Sequence, residues 1–257
     1  MGHRDDVPAQ PGYDEYRQMS DTRAPLAASF ARQILGTTGP WLSKPVEELD
    51  VLDLGSGYGH TTLELAGRCR SAVGMEPASN LAEFSQRLKA ESGRDNLEFR
   101  HQGIDDLKES NAFDLVVLDN VYEHLPDQTK AIQAISECLR PGGVLFLLTP
   151  NKLWPIEAHY GLPFLSYLPL PLANRYLRAS GRGTDYTDAS YAPTWFSLRR
   201  ELDAHEDLSW RLTLPADPAA TMAGSPVHYR IGMKMLDRFP SLWTISKALL
   251  VVAVKGS

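Results

Sequence analysis

Two stretches of this chain group residue types that can do chemistry together. The first is Val51-Leu52-Asp53-Leu54-Gly55-Ser56-Gly57-Tyr58-Gly59-His60, where an apolar run stops at three alternating glycines. Thr61-Thr62-Leu63-Glu64-Leu65-Ala66 follows with helix-forming composition. A strand, tight turn and helix in that order bring bare backbone close to a ligand, and a Cβ would block both turn and approach. The second stretch is Asp119-Asn120-Val121-Tyr122-Glu123-His124-Leu125-Pro126, with His159 further on. Histidine titrates near neutrality and suits proton removal from a hydroxyl. His124 and His159 are therefore both candidate bases, with Glu123 beside the first. The alternative is that Glu123 and His124 only cap the following helix and order its loop.

These residues need elements to hold them. Between residues 48 and 149 strand and helix patterns alternate regularly, the signature of a parallel doubly wound α/β sheet. Strands are predicted at 48–54, 72–76, 97–101, 113–119 and 144–149, with helices at about 60–69, 79–92 and 127–139 between most of them. Pro141-Gly142-Gly143 reads as a stop and turn before the fifth strand. Glu76 ends the second strand about 20 residues past the glycine turn, where an acid accepts hydrogen bonds from ribose hydroxyls. Residues 13–35 read as one or two amphipathic helices. Beyond Pro150 the rhythm breaks: residues 151–195 are rich in Pro, Tyr, Leu and Arg and hold no clean strand, as a lid or cap would. A helix at about 195–204 and strands at 208–214 and 249–255 close the pattern. Four parts result: 1–44, a core at 45–150, an insert at 151–195, and a return to the core at 196–257.

Bulk properties narrow the field. At 257 residues the chain can form one large α/β domain with a cap, and its net charge of −6 argues against a nucleic-acid partner. Its two cysteines, Cys69 and Cys138, fall in separate predicted helices and offer neither a disulfide framework nor zinc spacing. A reducing cytoplasm fits best. The acidic N-terminus lacks the apolar centre of a signal peptide, and the apolar run at 248–254 is too short to span a bilayer. Within 162–182 an apolar, proline-broken stretch precedes Arg175, Arg178 and Arg182, whose near-helical spacing lets them share a face. Such a segment either touches an anionic membrane or packs the insert on the core with a solvated basic face.

The phasing of the glycines separates two readings of the turn. In the dinucleotide fingerprint the third glycine stands one residue later, where His60 stands here, and an apolar residue usually replaces Asp53. Asp-x-Gly-x-Gly-x-Gly instead resembles motif I of the class I S-adenosylmethionine-dependent methyltransferases. The Glu123-His124-Leu125 string resembles the post-strand motif of the subgroup that includes quinone-biosynthesis and glycan O-methyltransferases. The Pro141–Asn151 exit is similar to that group as well.

The resemblance implies a seven-stranded, mostly parallel Rossmann-like sheet whose last strand is antiparallel, with an inserted lid after the fifth. It implies S-adenosylmethionine bound by Asp53, Gly55, Ser56, Gly57, Gly59, Glu76, Pro77 and Asn120, with Tyr13 or Tyr16 closing over it. Adenine recognition would fall at Gly103, where the family often has an acid, so the backbone of Ile104 or the side chain of Asp105 would substitute. The implied reaction is O-methylation of a hydroxyl on a small molecule, glycan or lipid-linked glycan. Relatives with Glu-x-x-Glu-His and a later histidine bind a divalent ion. Here Asn120 replaces the first glutamate while Glu123, His124 and His159 remain, so magnesium is a secondary alternative that would be held more weakly, and no metal is assigned to the site. Two rivals remain: a nicotinamide-dependent dehydrogenase, and a non-catalytic cofactor-binding scaffold.

Overall fold

The computed structural model describes residues 13–216 and 227–256. Helix α1 (Tyr13–Thr38) leads into β1 (Asp50–Leu54), α2 (His60–Ala66), β2 (Ser71–Met75), α3 (Ser79–Ser92) and β3 (Leu97–Arg100). The chain then returns through β4 (Phe113–Asp119), α4 (Gln128–Cys138) and β5 (Leu139–Pro150). An insert with α5 (Leu170–Ser180) precedes α6 (Trp195–Asp203), β6 (Leu208–Leu212), α7 (Val227–Arg238) and β7 (Ala248–Lys255).

The seven strands form one sheet in the order β3-β2-β1-β4-β5-β7-β6. Pairing is parallel from β3 to β5, while β7 runs antiparallel to both β5 and β6. The expected doubly wound sheet with an antiparallel last strand is therefore present. The order reverses between β1 and β4, and the crevice outside the carboxyl ends of such a pair is where ligands bind in open α/β sheets. This topology sets the glycine turn after β1 beside the Glu123-His124 loop after β4.

Alternate side chains of the central strands supply two cores, one on each face, which is why these strands read as continuous apolar runs. Leu52, Val116 and Leu118 pack with Ile132, Ile135, Leu198 and Leu202 on one side. Val51, Leu115 and Val117 pack with Ala31, Ile34 and Leu65 on the other. The insert has a small core of its own, Leu162, Leu165, Ala173, Leu177, Tyr186 and Ala189.

The expected N-terminal helix forms as a single one that runs on to Thr38 with Pro25 inside it. Three expectations need correction. The fifth strand starts at Leu139, not 144: Leu139 pairs with Phe113, Pro141-Gly142-Gly143 bulges out, and regular pairing resumes at Val144. Arg182 does not share a helical face with Arg175 and Arg178, because α5 stops at Gly181 (φ 70°). Its guanidinium turns back instead, Nη1 donating to the carbonyls of Tyr160 (2.7 Å) and Gly161 (3.2 Å). Finally, α7 stands between β6 and β7, where no helix was expected.

Candidate active site

The turn after β1 is built by its own backbone. Gly55 N–H and Ser56 N–H both donate to the Met75 carbonyl at 2.8 and 3.0 Å, tying the turn to the end of β2. Gly55 has φ +69°, and a Cβ there would collide with Val121 in the loop after β4. Glycine is thus what lets the two loops approach. Gly57 N–H donates to Glu76 Oε2 at 3.0 Å, and Glu76 Oε1 accepts from Ala78 N–H at 2.9 Å. The acid at the end of β2 therefore braces the turn.

Asp53 is 5% exposed, and Thr62 Oγ1 donates to its Oδ2 at 2.6 Å. Burial pushes its carboxyl up to about 7; the Thr62 bond works against this, and Asp119 and Glu76 add to it. A carboxyl so placed favours ionisation only when a cation arrives.

Across the crevice the β4 loop carries a second constellation. Asn120 sits at φ +55°, with Nδ2 donating to Asp119 Oδ1 at 2.7 Å. Glu123 is fully buried; its Oε2 accepts from Thr149 Oγ1 at 3.0 Å, and its Oε1 has no hydrogen-bond partner among the described residues. Burial raises its pKa, opposed by His124, Thr149 and His159.

His124 Nε2 lies 4.0 Å and His159 Nε2 3.9 Å from that Oε1, the two rings edge to face at 5.2 Å. Each imidazole is held from its other side. His124 Nδ1 is 3.0 Å from Asp188 Oδ2, and His159 Nδ1 is 2.9 Å from Glu157 Oε1. The Asp188 contact raises the pKa of His124 against the cost of burial. Both Nε2 atoms are thus turned toward the buried Glu123 oxygen, at the two distances just given.

A cavity of about 790 Å³ joins the two constellations, lined by Asp53, the glycine turn, Asn120, His124 and His159. Phe30 and Gln33 of α1 line it as well. Phe146, Leu148, Leu214, Met233, Leu236 and Trp243 give it an apolar wall. Its volume suits a cofactor together with part of a second ligand.

A family model described as "Methyltransferase domain" matches residues 13–200. The chain belongs to the methyltransferase domain family. It is 32% identical over 117 residues to the ubiquinone biosynthesis O-methyltransferase of Leptothrix cholodnii, covering 44% of this chain and 50% of that one. To the mitochondrial ubiquinone biosynthesis O-methyltransferase of Homo sapiens it is 29% identical over 144 residues, 54% of this chain and 38% of the relative. The chain thus spans half or less of the length of these relatives. Among solved structures, plantazolicin methyltransferase BpumL with a triazolic desmethylPZN analog and SAH gives a TM-score of 0.59 at 13% identity, covering 96% of this chain and 92% of that one. A putative S-adenosyl-L-methionine-dependent methyltransferase from Methanococcus maripaludis gives 0.57 at 13% identity, covering 98% and 97%.

Within this methyltransferase fold the anticipated residues divide. Asp53, Gly55, Ser56, Gly57, Gly59, Asn120, His124 and His159 face one cavity, with Glu123 buried behind the imidazoles. Glu76 and Pro77 lie at the edge of the turn, outside the cavity lining. Gly103 follows β3, its N–H donating to Asp106 Oδ2 at 3.1 Å. The Ile104 side chain packs on the core and its carbonyl accepts from Leu107 N–H. The side chains of Tyr13 and Tyr16 lie outside the described residues. Asp188, the partner of His124, escaped the sequence reading: one acid in the polar run Thr184–Ala189 carries no signal of a contact 64 positions away.

The three donors Glu123 Oε1, His124 Nε2 and His159 Nε2 lie within 4.8 Å of one another. Only one is a carboxylate oxygen. Magnesium takes oxygen ligands in near-octahedral geometry, and this donor set does not fit it. Among the described residues no helix is long and apolar enough to cross a membrane.

Proposed function

We propose that this chain is an S-adenosylmethionine-dependent O-methyltransferase acting on a hydroxyl acceptor. The observation that carries the reading is the pair of imidazoles, His124 and His159, each held at Nδ1 by a carboxylate, lining one cavity with the glycine turn and Asp53. When bound, S-adenosylmethionine supplies a methyl group already activated by its sulfonium. The protein then has to place the acceptor oxygen in line, exclude water and take a proton.

Asp53 meets positive charge, the turn offers bare backbone, and Asn120 borders the same space. The apolar wall from Phe146 to Trp243 excludes water. His124 or His159 takes the hydroxyl proton at Nε2, and the buried Glu123 carboxylate steadies the imidazolium that forms. Family membership and relatives named for ubiquinone biosynthesis support methyl transfer to oxygen. The apolar wall supports an acceptor with an aromatic or lipid body over a bare sugar.

The insert also supports a peripheral contact with an anionic membrane. Phe164 (55% exposed), Tyr167, Leu170 and Leu172 stand out from it beside Arg175 and Arg178. Two buried free thiols, Cys69 and Cys138, fit a reducing cytoplasm.

The test is calorimetry with S-adenosylhomocysteine against nicotinamide dinucleotide. Methyl transfer to a panel of catechols, phenols and sugars follows, with and without a chelator. Micromolar binding of S-adenosylhomocysteine alone and chelator-resistant transfer to an oxygen are expected. Preference for the dinucleotide overturns the reading. Transfer lost to the chelator and restored by a divalent ion would replace the histidine base with a metal-bound one.

A further inference from the structure

Both imidazoles of the acceptor side receive a carboxylate from the insert, and the two carboxylates differ in what else they do. Glu157 is buried and accepts from the backbone N–H groups of His159 (2.9 Å) and Tyr160 (2.6 Å) as well as from the His159 ring. It builds its own turn. The Asp188 side chain is 88% exposed, so burial gives no reason for its presence, and its ion pair among the described residues is with His124.

The backbone around Asp188 is nevertheless fixed. Tyr186 and Ala189, 3% and 5% exposed, anchor it in the core of the insert. Gln128 Nε2 donates to the Tyr191 carbonyl at 2.8 Å and to the Tyr122 carbonyl at 3.1 Å, clasping the end of the insert to the β4 loop. A carboxylate held out in solvent by rigid backbone, against one ring nitrogen, has the geometry that selects a tautomer.

We propose that Asp188 is a positioning residue for methyl transfer. It accepts the Nδ1 proton of His124 from the far end of the insert, so that Nε2 faces the acceptor bare and the base is complete only when the insert is seated. This inference rests on the reading of His124 as a base given above. The groups facing His124 are Asp188, Glu123, whose Oε1 is 4.0 Å from Nε2, and the His159 ring with Glu157 behind it. The Asp188 backbone carbonyl also lies 3.2 Å from Nδ1 and is the competing explanation for the tautomer.

The experiment is long-range ¹⁵N–¹H spectroscopy of the full chain saturated with S-adenosylhomocysteine, with His124 assigned by comparison with His124→Gln. The wild-type ring should carry its proton on Nδ1 once neutral. In Asp188→Ala the Nε2–H form should appear, and the midpoint of His124 should fall by about half a unit or more as a neighbouring negative charge is lost. Asp188→Asn keeps an acceptor and loses the charge, so it should hold the tautomer and lower the midpoint; it decides the question if the alanine variant fails to fold. A wild-type ring protonated on Nε2 overturns the proposal. So does an Nδ1–H ring with an unchanged midpoint in both variants, which would assign the tautomer to the backbone carbonyl. Calorimetry on the same samples separates the two claims. Failure to bind S-adenosylhomocysteine removes the methyltransferase reading, while the ring spectra still judge Asp188.

Discussion

The two sides of the cavity are built on opposite plans. On the cofactor side the parts lie close in sequence and brace one another: Gly57 N–H meets Glu76 across 19 positions, and Thr62 meets Asp53 across nine, while the Ser56 hydroxyl is buried without a partner among the described residues. On the acceptor side His124 meets an acid 64 positions away, and Thr149 reaches Glu123 from β5, 26 positions on. What stays unpartnered beside the two imidazoles, among the described residues, is an oxygen of a buried carboxyl, Glu123, rather than a hydroxyl. An unsatisfied buried polar group costs roughly 1–3 kcal/mol, and such costs persist where the surroundings over-determine them, commonly at functional sites. The cofactor side is therefore a local structure, braced within itself and open to a ligand at Asp53 and at the Ser56 hydroxyl. The acceptor side is an unfinished one held in place by the rest of the fold.

The strongest way to break this contrast is Asp53→Asn. It should weaken S-adenosylhomocysteine binding about 100-fold by removing a charge-assisted contact, while leaving the His124 and His159 pairings intact. The pH dependence follows from the raised pKa. Between the ordinary aspartate value of 3.8 and about 7 the folded chain keeps a proton that the unfolded chain has released. The stability this group contributes is thus full below about pH 4 and is lost as pH rises through 7. Asn should raise the melting temperature at pH 8 and change it little at pH 4. Wild-type cofactor affinity should be about tenfold weaker at pH 6 than at pH 8, and that slope should vanish in the variant. A slope that survives in Asp53→Asn assigns it elsewhere.

Glu123→Gln breaks the other side. Transfer to whichever acceptor the panel yields should drop about 100-fold, the ordinary worth of a positioned proton-handling group. Affinity for S-adenosylhomocysteine should stay within about twofold, because Glu123 is outside the cofactor half. Burial raises the Glu123 pKa, so its contribution to stability also declines as pH climbs. The glutamine variant should therefore melt no lower than wild type near neutrality. Full activity in Glu123→Gln would make the unpartnered oxygen a feature of the fold alone.

The same contrast explains what could be read from sequence. The cofactor side was legible because a tight turn demands glycine at fixed offsets, as at Gly55, where a Cβ would strike Val121. The sheet was legible too, since strands buried on both faces, such as Leu115–Leu118, must be apolar throughout. His124 and His159 could be named as candidates, and the resemblance to metal-binding relatives grouped them with Glu123, as the structure does; residue pattern alone could not, because that grouping depends on how far the insert folds back. Asp188 and the α7 residues Met233 and Leu236 were invisible, because tertiary packing rather than local pattern puts them beside the cavity. Arg182 was misassigned for the same reason: its spacing from Arg178 suggested a helix that Gly181 ends.

Arg182→Ala sharpens the comparison with the smallest expected effect. Its Nη1 satisfies two carbonyls in the turn that carries His159, and Gly161 there is in the left-handed region (φ 63°). The side chain is exposed, so losing these bonds should cost about 1 kcal/mol, or ~2–4 °C in melting temperature. If the insert serves only the acceptor side, methyl transfer should fall a few-fold through a less firmly held His159, while S-adenosylhomocysteine affinity stays put. An affinity loss equal to the activity loss would mean that the insert also shapes the cofactor half, and that the two sides of this cavity are one cooperative structure.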